Sequence, residues 1–457
     1  MSPNSPTTER SAPRRRGRQK KLIDPKLLTY ICGAHLGDGR TYGEIRKELR
    51  SRGIETGDDS WFAKLLKNAR KDGLIFLDLD ETFVHRGDEL QRDGQDLRNR
   101  FNLDHAVVVH IAEPAKFAND SSLTDTSGDE SVMRGDDYLH TVLANHAGKL
   151  LSGQLNAGDH CAVAGGRAVN QAVRMIRRAP PPLRDIMVTS LGGRLWSHKW
   201  WRSGSNTMRP LDPDDSAFIL FMALENQPGT MFDQVGHRVF TDSREEAAAV
   251  MEEHCMFQPG GKWYQRKQPN RAIVGVGVVD PSSGHRAVRK YEGSGLVKDL
   301  MNRHLARVKN ELEEAIATVR ESELYFGDVA NRYFPTLPLP QEFHERSVEY
   351  YDHLYGKLNK QLLNLNERMV VVEWAHIRGI RSVTAIAGGS FKLRALWTIL
   401  FAGLNSKSLR LINTLVTDSA TAYDLNTALN AYHGLDASAK AWYEKLVRTF
   451  FQGPPRT

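Results

Sequence analysis

The residues best suited to chemistry sit in short turns that follow apolar runs. Residues 385–394 read AIAGGSFKLR: Gly388 and Gly389 close an apolar run, and Lys392 comes three positions later. Residues 160–169 read HCAVAGGRAV and repeat the pattern, with Gly165 and Gly166 followed by Arg167. A glycine pair between a strand and a helix exposes backbone amides to an anion, with the helix dipole behind them. Neither turn has the spacing of a dinucleotide fingerprint or a phosphate loop. Glycine pairs also serve tight turns and close packing, and one pair alone does not decide between these readings. Two pairs, each beside a cation, point to an anionic small ligand. Asp328 and Asp418 are carboxylates in comparable segments, FGDVA and LVTDSATA. Such residues are more often structural than catalytic, and no spacing in the chain identifies a nucleophile or a metal triad. His237 and His376 are near them only in sequence terms. The pairs His160-Cys161 and His254-Cys255 read as buried side chains rather than metal ligands. No metal or cofactor is expected.

The elements that must position these turns alternate regularly from about residue 135. A helical stretch precedes HCAVAGGRAVNQAV; the strand-like DIMVTSLGG follows, then AIVGVGVVDPSSG with Gly275 and Gly277, then VTAIAGG, then NTLVTDSATAYDLNTAL. Strands alternating with helices predict a doubly wound, mostly parallel sheet, with ligands at the carboxyl ends of its strands. Two helical insertions break the rhythm, at about 285–325 and 336–366. The first carries an amphipathic stripe through Leu300, Leu305, Val308, Leu312 and Ala315. It packs on its own domain or on a second subunit. Residues 83–134 read as a connector that contains a helix, the strand HAVVVHIA and a polar loop.

Residues 22–82 read as three helices and a short strand. Thr41 and Glu44 form a capping box, Ile45 and Leu49 the buried stripe, and Gly53 the stop. Asp59 or Ser60 caps the third helix, which turns Phe62, Leu65, Leu66 and Ala69 inward and Lys64, Lys67, Asn68 and Lys71 outward. This is the pattern of a helix-turn-helix whose last helix enters a major groove, and equally of a generic three-helix bundle used for dimerisation. Asp58 and Asp59 would face phosphate in the first reading, unless they serve as caps.

The chain has 457 residues, 40% hydrophobic and 26% charged, enough for two or three domains. Residues 1–21 hold seven Lys and Arg against one Glu, so +6 of the net +7 belongs to this arm. Rich in Ser, Pro and Arg, it cannot bury a core and is expected to be disordered. Arg14, Arg15, Arg16 and Arg18 would track DNA phosphates, or the arm is only a solubilising terminus. Three separated cysteines argue against a disulfide framework. No apolar run is long enough to span a membrane, and no secretory signal is evident. A cytoplasmic protein is expected.

Taken in order, these segments resemble the SorC family of bacterial sugar-sensing transcriptional regulators, related to DeoR-type repressors. LLKNARKDGLI is similar to the end of the family's helix-turn-helix, and HCAVAGGRAVNQAV to its first effector loop. VGVGVVDPSSG, YFGDVANRYF, AIAGGSFKLRAL and LVTDSATA are similar to its later segments. The resemblance implies an effector domain with the fold of sugar-phosphate isomerases, a phosphorylated sugar ligand, operator DNA as partner, and a homodimer or homotetramer. It carries effector-binding roles to Gly165, Gly166, Arg167, Gly275, Gly277, Asp328, Gly388, Gly389, Lys392 and Asp418. DNA contacts fall to the four arm arginines with Lys64, Asn68 and Lys71. The chain departs from the family where Ala168 replaces a phosphate-binding threonine, a loss of about 0.5–1.5 kcal/mol. Ala162 and Ala164 replace glycines of the same loop. These departures support an alternative: a diverged regulator that acts through protein partners without sensing sugar. A sugar-phosphate enzyme on the same sheet is the third reading.

Overall fold

The protein is described by a computed structural model that covers residues 41–71, 87–110, 135–176, 184–193, 213–224, 228–233, 235, 237, 239–253, 268–279, 325–345 and 348–452, with isolated residues at 27, 30–31, 314–315 and 317–318. The chain divides into two compact units, Met1–Thr82 and Phe83–Thr457. The basic arm, the strand expected after the third helix and most of the first insertion lie outside the described residues.

In the first unit, helix α1 (Tyr42–Ser51) starts at the expected capping box. The Glu44 amide donates to Thr41 Oγ1 at 3.3 Å, and the Thr41 amide donates to the Glu44 carboxylate at 2.7 Å. The helix stops at Gly53, whose φ of 73° suits a residue without a Cβ. Helix α2 (Asp59–Lys71) is capped by Asp58, one residue before the expected Asp59 or Ser60. The Asp58 carboxylate accepts from the Trp61 amide at 2.9 Å and from the Ser60 hydroxyl at 2.7 Å, which holds its pKa below the ordinary value. Asp59 instead pairs with Arg46 of α1. Ile31, Ile45, Leu49, Phe62, Leu65 and Leu66 form the core, with Tyr42 stacked on Phe62 at 5.3 Å.

The second unit is a mixed α/β structure on one sheet. Its strands are β1 (His105–Val109), β2 (His160–Val163), β3 (Met187–Ser190), β4 (Met231–Asp233), β5 (Arg271–Val279), β6 (Phe326–Val329), β7 (Arg332–Pro335), β8 (Ser382–Ile386) and β9 (Thr414–Asp418). The parallel order is β1-β9-β8-β5-β2-β3-β4, and the hairpin β6–β7 adds to the far end of β5 in antiparallel pairing. The described helices are α3 (Gly87–Arg100), α4 (Gly135–Gln154), α5 (Arg167–Met175), α6 (Pro213–Leu224), α7 (Arg244–Glu253), α8 (Val348–Glu367), α9 (Trp374–Gly379), α10 (Leu393–Asn405), α11 (Ser419–Gly434) and α12 (Ala437–Gln452). Helices α4, α5 and α6 pack in succession over the sheet, while α10 packs with α11 and α12 and α3 packs on α11. The central strands are apolar on both faces, as buried parallel strands must be.

One boundary differs from the sequence reading. His105–Val109, expected in a connector, pairs along its whole length with β9 and forms an edge of the sheet. Leu97 and Phe101 of α3 join the same core. Burial of these apolar side chains ties the segment to the α/β unit rather than leaving it as a spacer.

The second insertion does a definite structural job. Ala330 and Asn331 make the two-residue turn of the hairpin, both at positive φ (53° and 65°). Strand β7 would leave an open edge. Asn366, in the last turn of α8, closes it like a neighbouring strand: its amide accepts from the Tyr333 N–H at 2.9 Å and donates to the Tyr333 carbonyl at 2.8 Å. Helix α12 then clamps α8, because Asp352 accepts from Trp442 Nε1 at 2.7 Å. Phe343, Tyr351, Tyr355, Trp442 and Tyr443 pack as an aromatic cluster beneath.

Candidate effector site

The carboxyl edge of the sheet collects the residues singled out from the sequence. Gly165 and Gly166 follow β2, Gly275 and Gly277 lie in the second half of β5, and Gly388, Gly389 and Lys392 follow β8. Asp418 ends β9. Strand β5 lies between β2 and β8, so the two glycine turns are separated by one strand on the same edge.

The β2 turn is open. Gly166 caps α5 at φ 122°, and a Cβ built there would meet no atom within 4 Å. The turn leads into the first turn of α5, an end whose amides and dipole suit an anion. A Cβ on Gly275 would sit 3.6 Å from the Gly165 carbonyl, so the β2 turn packs directly beside β5. Arg167 starts α5, and its side chain lies outside the described residues. Ala168 is buried in the first turn and offers no hydroxyl.

The β8 turn is different. The Gly389 amide, expected to face a ligand, donates to Asp418 Oδ2 at 2.8 Å and to Thr421 Oγ1 at 2.9 Å. Asp418 also caps α11, accepting from the Thr421 amide at 2.9 Å and the Thr421 hydroxyl at 2.7 Å. A Cβ on Gly388 would lie 2.3 Å from the same carboxylate and 3.0 Å from Leu143, so only glycine fits. Asp418 is thus an internal anion that joins the two loops. Thr421 lies in the LVTDSATA segment that resembles the family, but its bond to Gly389 spans two loops and was not visible in the sequence.

Lys392 is almost fully buried, and its Nζ lies 3.4 Å from His140 Nε2 on α4, with the Phe391 ring 5.4 Å away. Its charge also acts on Asp328. Asp328 stands opposite Gly277 in the β5–β6 ladder, and its carboxylate lies over the Gly277 Cα, where a side chain would collide with it. Burial pushes the Asp328 carboxyl up to about 6, against the Asn331 N–H that donates to it and the Lys392 charge. The neighbouring Tyr333 phenol is raised further by burial and by Asp328. His140 was not picked out from the sequence. Apolar residues surround it in α4, and nothing there separates a site histidine from a core one.

Other candidates lie elsewhere. His376 lines a cavity of about 10 Å³ with Leu191, Pro269, Val372, Gly379 and Ile380, a space the size of one water and away from the turns. His237 is half-buried between β4 and α7. Cys161 is buried in β2, where burial pushes its thiol up to about 12, so it stays protonated. Among the described residues no group of three His, Cys, Asp or Glu could hold a metal, and no helix is long and apolar enough to cross a membrane. Of the DNA-contact candidates, Lys64 is exposed on α2. Asn68 and Lys71 belong to α2 but their side chains, like the arm arginines, lie outside the described residues.

No protein-family model and no curated protein matches the chain. Solved structures do. The full-length sorbitol operon regulator SorC from Klebsiella pneumoniae is 19% identical, with 87% of this chain and 98% of that chain covered at a TM-score of 0.44. A probable sor operon regulator from Shigella flexneri is 18% identical over 74% and 99%, at 0.45. A DeoR family transcriptional regulator from Listeria monocytogenes is 15% identical over 74% and 99%, at 0.43. These three structures, a SorC regulator, a probable sor operon regulator and a DeoR family regulator, share the fold of the chain.

Proposed function

We propose that the chain is a ligand-responsive, DNA-binding transcriptional regulator of the SorC type, whose α/β unit binds an anionic metabolite of the phosphorylated-sugar class. The observation that carries this reading is the buried Lys392 at the carboxyl edge of the sheet, one strand away from the open amide turn at Gly166. A cation at the carboxyl edge beside an amide turn suits an anionic ligand. The capped helix pair α1–α2, with Lys64 outward, supports a DNA reader. Operator DNA and a second copy of the chain are the partners this reading implies. The full chain should retard its own upstream DNA with strong salt dependence, and phosphorylated sugars should raise its melting temperature. Failure to bind that DNA at low salt would remove the DNA half of the proposal.

A second reading is favoured by Ala168 and by the Gly389 amide already engaged with Asp418. Here the chain is a diverged regulator that has lost sugar sensing and acts through protein partners. Calorimetry against sugar phosphates separates the two. Turnover of a sugar phosphate, abolished by Asp328→Asn, would instead make the chain an enzyme.

A further inference from the structure

His140 and Lys392 are 8% and 9% exposed and face one another at 3.4 Å across α4 and the turn before α10. Asp328, from β6, interacts with the same ammonium and already resists ionisation because it is desolvated. Three titratable groups from three elements thus share one poorly solvated neighbourhood. The Tyr333 phenol on β7, kept protonated by burial, interacts with Asp328, while Asp418 on β9 is held by Gly389 and Thr421. An anion that arrives beside Lys392 adds a negative charge close to Asp328. In low dielectric that repulsion is strong, and a proton on Asp328 removes it. A proton on His140 adds a second cation to the anion's surroundings. Both groups act in the same direction.

We propose that anion binding at Lys392 is coupled to proton uptake by Asp328 and His140, so that affinity for an anionic effector rises as the pH falls. This rests on the effector-site reading above. A fully coupled proton changes affinity by about tenfold per pH unit.

The test is titration calorimetry of the full chain with sodium sulfate, an anion whose charge is constant from pH 5.5 to 8. Each titration is run in two buffers of different ionisation enthalpy, so that proton uptake is read directly. Glucose 6-phosphate serves as a second probe. The expected result is binding that Lys392→Met abolishes, net proton uptake, and affinity that falls roughly five- to tenfold per unit between pH 6 and 8. Asp328→Asn should flatten most of the pH dependence and remove most of the proton uptake; His140→Gln should flatten part of it. If Lys392→Met does not fold, these two variants carry the test. Binding with no proton uptake and a flat profile overturns the coupling and leaves the anion site standing. If neither probe binds the full chain at any pH, the anion site fails and the coupling falls with it.

Discussion

Replacing Asp328 by asparagine should stabilise the α/β unit, and more so as the pH rises. Burial moves this carboxyl from its ordinary 3.8 to about 6 in the folded protein. An acid with a higher folded than unfolded pKa binds more protons when folded. Its contribution is therefore neutral below about pH 4, turns unfavourable as the pH climbs, and is fully unfavourable above about pH 6. A shift of about two units corresponds to about 3 kcal/mol at pH 8 and about half of that at pH 5. Asparagine keeps the shape, cannot ionise, and can still accept from the Asn331 N–H. For a unit of roughly 375 residues, about 3 kcal/mol raises the melting temperature by about 4 °C. Melting curves of the parent chain and Asp328→Asn at pH 5 and pH 8 measure this. The gain at pH 8 should be about twice that at pH 5. An asparagine variant that melts lower than the parent at pH 8 would refute the reasoning, because it would mean that the carboxylate is net stabilised by Lys392.

Other changes follow from the same geometry. Gly388→Ala drives a methyl into the Asp418 carboxylate and Leu143, and should lower stability by about 1–3 kcal/mol in denaturant titration. Asn366→Ala leaves the Tyr333 N–H and carbonyl at the edge of β7 without their amide partner; loss of two hydrogen bonds should cost about 2 kcal/mol, read by the same titration. Lys64→Ala should weaken DNA retardation at low salt and reduce the slope of log affinity against log salt by about one, if the residue meets a phosphate.

The parts of the fold that local pattern encodes were legible. Buried parallel strands read as apolar runs, so β2, β5, β8 and β9 could be placed from residues 160–163, 271–279, 382–386 and 414–418. The Thr41–Glu44 box is contained within four residues and could be read directly. What depended on distant partners could not. Residues 105–109 become part of the sheet only through β9, some 300 residues later. The cap of α2 falls on Asp58, while Asp59 pairs with Arg46 on the other helix. At the site, glycine pairs and cations were visible as types, but their engagement was not. The bond from Gly389 to Asp418 reverses the role of an amide expected to meet a ligand. His140 reaches Lys392 across 252 positions, and no motif in α4 announces it.

The most direct test of the account is the affinity of the full chain for its own upstream DNA, measured with and without a panel of phosphorylated sugars, beside the Lys392→Met variant. The account predicts that at least one phosphorylated sugar shifts DNA affinity in the parent chain and leaves the variant unchanged. DNA affinity that no phosphorylated sugar alters, or that shifts equally in Lys392→Met, would contradict it.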